Sequence, residues 1–187
     1  MLKLIAMKCR IILSAILLMN VISLKAQSNN DYISTLRLGA FKIFSTVSEI
    51  EKITGKKISL PSNKDEYFDT TKLRYNNSDI TLVFNKVYQE NQKAPPLWKL
   101  YAVISENTQL KTKGGIGIGS TKAEVLTASD KMDLSIYNDY YYKEKKNPRD
   151  KIQTIVIKDY DAETAITLTT EDRKVNKIQV AVQEEYD

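Results

Sequence analysis

Residues 113–122, KGGIGIGSTK, have the types and spacing that a phosphate site would use: four of the chain's six glycines, a hydroxyl pair and a lysine. A phosphate cradle needs glycines that free backbone N–H groups, and a lysine placed before the hydroxyl residue as Gly-Lys-Ser/Thr at the start of a helix. Here the order is Gly-Ser-Thr-Lys, which favours a helix entrance over a nucleotide loop. The second candidate is Asp159-Tyr160-Asp161-Ala162-Glu163, with three alternating carboxylates. Calcium would use such oxygens, yet the glycine and twelfth-position glutamate of an EF-hand loop are missing. The expected structure there is the polar turn of a hairpin. No cofactor and no metal is expected.

Other chemistry is limited by composition. The chain has no histidine, and its single cysteine, Cys9, lies in the first 26 residues. Serine–histidine and cysteine–histidine nucleophiles are therefore excluded from residues 27–187, as are zinc sites built on imidazole or thiolate. Disulfides are excluded too, so an apolar core must supply the stability. Paired carboxylates are not excluded, but nothing in the sequence selects a pair. The expectation is a protein that is not an enzyme.

Residues 1–26 read as a secretory signal peptide. Lys3, Lys8 and Arg10 precede an apolar stretch over residues 11–24, and Ala26 offers a small residue before a cut at Gln27. The stretch is shorter than the roughly 20 residues a spanning helix needs. Cys9 precedes it, which is the wrong side for lipidation. The leader holds four of the 28 basic residues and no acid, so residues 27–187 carry 24 basic against 23 acidic side chains, a net charge of +1 instead of +5. No basic stripe remains for nucleic acid. The expected location is periplasmic or secreted, with no transmembrane segment after cleavage.

The elements that must position these residues show an internal echo. GAFKIFSTVSEI (39–50) aligns with GGIGIGSTKAEV (114–125) at an offset of 75 residues. Thr46 with Glu49, and Thr121 with Glu124, both fit a capping box, in which the threonine hydroxyl and the glutamate satisfy each other's backbone amides. Period-two apolar alternation then predicts strands over 67–75, 80–84 and 97–104, and again over 134–142, 152–157, 165–169 and 175–182. The predicted class is α+β: two tandem repeats, each a helix plus antiparallel strands, sharing a mostly antiparallel sheet. The boundaries are 1–26 for the signal, 27–110 for the first repeat and 111–187 for the second.

Aromatic residues mark the candidate partner-binding surface. Tyr140, Tyr141 and Tyr142 stand beside a lysine-rich turn, and in a strand Tyr141 must face away from the other two. Trp98 follows Pro95-Pro96. Either set can anchor a partner, and either can be core at a strand start.

TKGGIGIGSTKAEVL, followed by strands ending in ITLTTEDRKVNKIQV, resembles the repeat unit of beta-lactamase inhibitory protein-like domains and of small outer-membrane assembly lipoproteins of the SmpA/OmlA type. Both open a helix with Gly-x-Ser/Thr-x-x-Glu-Val and close the sheet with a Gly-Lys-Val hairpin. Arg173 stands here where glycine is usual, and neither a lipidated cysteine nor a cysteine pair is present. The resemblance implies a module that inhibits or scaffolds other proteins. The expected function is a secreted or periplasmic, non-catalytic protein-binding module, such as an inhibitor or immunity protein for an envelope-acting enzyme. The alternative is a cell-wall glycan-binding module or a carboxylate-dependent cell-wall hydrolase.

Overall fold

The structure, a computed structural model, describes residues 32–60, 67–89, 94–106, 109–138 and 152–183. Seven of its strands form one antiparallel sheet. These are β4 (Phe68–Tyr75), β5 (Ser78–Val87), β6 (Leu97–Ser105), β8 (Asp133–Asn138), β9 (Ile152–Asp159), β10 (Thr164–Glu171) and β11 (Lys174–Val182). Their order is β4-β5-β6-β11-β10-β9-β8, so β6 and β11 pair at the centre and join the early strands to the late ones. Alternation built each of these strands. In β5, Ile80, Leu82 and Phe84 are buried while the residues between them are not.

Four short strands make a second sheet, in the order β3-β2-β1-β7: β1 (Tyr32–Ser34), β2 (Arg37–Leu38), β3 (Phe41–Lys42) and β7 (Lys111–Thr112). Two helices follow its strands in the chain, α1 (Val47–Thr54) and α2 (Lys122–Ala128). Ile33, Leu38, Phe41 and Ile43 from the small-sheet region, Ile50 from α1 and Val125 from α2 share one apolar cluster with Leu82, Val103, Leu168 and Val180 of the large sheet. Residues from before and after position 110 thus pack in one core.

The α+β class with two tandem helix-plus-strand repeats is overturned. Among the described residues the chain is 55% strand and 12% helix, arranged as two sheets, which makes it a mainly β protein. The helices are about two turns each, and each buries a single residue, Ile50 or Val125. They plug the core without forming a layer. Among the described residues, no helix is long and apolar enough to cross a membrane.

The likeness at an offset of 75 is real at the helix entrances. Phe44 N–H donates to the Leu100 carbonyl (2.8 Å), and Leu100 N–H donates back to Ser45 (2.7 Å). Seventy-five residues later, Gly119 N–H donates to Val175 (2.7 Å) and Val175 N–H to Ser120 (2.9 Å). Both capping boxes are present. The first residue of each entrance is left-handed, at φ 69° for Phe44 and 84° for Gly119. That conformation is free for glycine and costly for phenylalanine.

Candidate protein-binding face

The glycine-rich loop has no backbone donors spare at the positions that matter. The N–H groups of Gly115 and Ile116 go to the carbonyl and hydroxyl of Thr112, and those of Gly117 and Ser120 to each other's residues (Ser120 Oγ and Gly117 O). Gly119 N–H goes to Val175, Thr121 N–H to the Glu124 carboxylate (2.7 Å) and Lys122 N–H to Arg173. The Lys122 ammonium donates to Gln153 Oε1 (2.8 Å). A phosphate would have to displace these bonds.

Gly115 and Gly119 hold left-handed backbone, at φ 80° and 84°, and Gly117 has a packing reason. A Cβ on Gly117 would collide with the Leu110 carbonyl oxygen and lie 2.6 Å from Lys111 Cδ. The backbone N–H of Thr121, followed by its hydroxyl, holds the Glu124 carboxyl below its ordinary range. Thr46 does the same for Glu49.

The alternating carboxylates are a hairpin turn, as expected. Asp159 accepts from the Thr35 hydroxyl (2.7 Å) with one oxygen and from Ala162 N–H (3.1 Å) with the other. The aspartate is used to tie the β9–β10 turn to the chain after β1.

Of the four aromatic candidates, the structure describes one. Trp98 is half-buried, sits opposite Lys86 in the ladder and packs against the core, with the Lys86 ammonium 5.0 Å from its ring centroid. Tyr140, Tyr141 and Tyr142 lie outside the described residues.

An aromatic surface does exist, on the side of the large sheet that faces away from the helices. Register gives its composition. Phe68 lies opposite Asn85, Asn85 opposite Lys99, and Val87 opposite Leu97. Phe68 and Leu97 are 47% and 41% exposed, although both are large and apolar. Between Val83–Ala102 and Phe84–Leu100 the ladder slips by one residue, at Tyr101. This bulge re-aims the Tyr101 ring. The ring reaches across β5 and meets Phe68 edge-on, centroids 4.9 Å apart at 71°. Beside the pair, Ala102, Ala181 and Ala165 line up across three strands as a floor of small buried side chains. Among the described residues no helix or strand covers this face.

No family model, curated protein or solved structure matches the chain. The face therefore has to be interpreted from its own chemistry. Strict alternation through residues 97–104 puts Tyr101 on the face of buried Val103, which hides it in the sequence. The bulge that moves it has no local signal in the residue types. Phe68 was legible as a strand residue, and its parity opposite Leu73 and Tyr75 was a hint of outward placement.

Proposed function

We propose that the chain is a non-catalytic protein-binding module of the envelope or extracellular space, and that it binds through the outer face of the seven-stranded sheet. One observation carries the reading: exposed Phe68 and half-buried Tyr101 form a mutually braced aromatic pair next to exposed Leu97 and a floor of alanines. Large rigid rings give contact area at little cost in side-chain entropy, and such residues dominate binding energy at protein interfaces. The leader-like residues 1–26 support the location. An inhibitor or immunity protein that blocks an envelope-acting enzyme is the concrete form we favour.

The test uses the full chain, tagged at its C-terminus and purified from its native envelope together with whatever it retains. A specific protein should co-purify with the wild type and be lost from Phe68→Ser/Tyr101→Ser. The melting temperature of that variant should stay within a few degrees, because neither ring belongs to the apolar core cluster. A protein retained equally by both forms would refute the assignment of the face. Sedimentation with purified cell-wall glycan, lost in the same variant, would convert the reading to a glycan-binding module.

A further inference from the structure

The two edges of the large sheet are built differently. Edge strands present unpaired N–H and C=O groups, which recruit other strands unless they are blocked. On β4 they are blocked. Asp69 Oδ1 accepts from Thr70 N–H (2.7 Å), and the Lys56 ammonium donates to the Arg74 carbonyl (3.0 Å). Lys72 and Arg74 are exposed along the same strand, and Asp69 points toward the core side with a buried oxygen that has no partner. Charges on an edge and an inward-pointing acid are the usual devices against strand addition.

β8, at the other edge, has one terminal carboxylate, Asp133, and none of the rest. Its sequence, Asp133-Leu-Ser-Ile-Tyr-Asn138, contains no lysine, arginine or proline. Among the described residues it pairs only with β9. Leu134 and Ile136 stand opposite Ile157 and Ile155 on the core side, yet Ile136 is 41% exposed, and Tyr137 on the other face is 53% exposed. The apolar row that crosses the sheet through Ile178, Leu168 and Ile155 therefore runs out to Ile136 at the edge and stops in solvent.

We propose that β8 pairs antiparallel with β8 of a second copy, extending the sheet across a two-fold axis through Ser135. This register sets Leu134 against Ile136 of the other copy on the core side, and Asp133 against its Tyr137 on the outer side. The strand is complementary to itself: apolar meets apolar, and its one charge, Asp133, never meets its own kind. The pairing would be weak, because a six-residue edge buries less than a standard interface. It is separate from the Phe68–Tyr101 face and independent of what that face binds.

Sedimentation of the full chain, purified as its host processes it, tests this. The mass should rise from one chain to two with concentration, and Ile136→Lys should hold it at one without changing the melting temperature by more than a few degrees. In a Cys9→Ser background, Ser135→Cys should form a disulfide-linked pair under mild oxidation, because directly opposed residues lie within disulfide range. Thr70→Cys on β4 should not. A wild type of single-chain mass at every concentration would overturn the proposal. So would a dimer that survives Ile136→Lys, or cross-linking at Thr70→Cys in place of Ser135→Cys. A chain that stays single but accepts a foreign peptide strand on β8 would also show that the occupant is not a second copy.

Discussion

The glycine-rich loop and the outer sheet face are opposites. The loop has the letters of a ligand site, but its amides, its serine and its terminal lysine are bonded within the protein. The face has no motif, and it carries exposed Phe68 braced against half-buried Tyr101. What separates them is whether polar and apolar groups are already satisfied. A cluster of glycines is a packing solution when a neighbouring backbone passes too close for a Cβ, as Leu110 does at Gly117.

Gly117→Ala should have the largest effect on stability, roughly 1–3 kcal/mol in chemical denaturation, since the loop must move to admit the methyl group. Lys42 is the residue 75 positions earlier, exposed on β3. Lys42→Ala should stay within about 0.5 kcal/mol. Equal costs at the two sites would mean that the close approach at Gly117 is not what the glycine serves.

Thr121→Ala should cost about 0.5–2 kcal/mol, and Thr46→Ala a similar amount, the ordinary penalty for losing a helix cap. Combining Thr121→Ala with Glu124→Ala should be less than additive, because the two side chains share one reciprocal set of bonds. Added phosphate should leave the melts of wild type and Thr121→Ala unchanged. A phosphate-dependent rise in the wild type alone would return the loop to the class of ligand sites.

The smallest effect is in acid. Glu49 and Glu124 are held below their ordinary range in the folded chain by hydrogen bonds from Thr46 and Thr121. A depressed carboxylate contributes its full stabilisation above its unfolded pKa, about 4.3, and loses it as pH falls through the folded value. Both groups are fully exposed, so the contribution is small. Between pH 6 and the acid limb, Glu49→Gln/Glu124→Gln should show a shallower loss of melting temperature than the wild type. An identical slope would mean that the caps do not depend on the charge.

Much of the large sheet was legible. β5 alternates through Ile80, Leu82 and Phe84, β10 and β11 alternate over 166–169 and 178–180, and Thr46-x-x-Glu49 and Thr121-x-x-Glu124 announced both helix starts. The small sheet was not, because strands of two or three residues are too short to show a period. Segments such as Phe41–Lys42 therefore looked like approaches to helices, and this is why the α+β class failed. The site was least legible of all. Aromatic density pointed to Tyr140, Tyr141 and Tyr142, which lie outside the described residues, and the lone Trp98 packs against the core, while Tyr101 was hidden by a one-residue slip in register that only the paired strands reveal.

The most direct test of the contrast between loop and face is site-specific photo-cross-linking in the native envelope. A benzophenone side chain would replace Phe68 in one strain and Lys113, beside the glycines, in another. A discrete protein adduct from position 68, with none from position 113, is the predicted result. An adduct from position 113 alone, or no adduct from position 68 in folded protein, would contradict it.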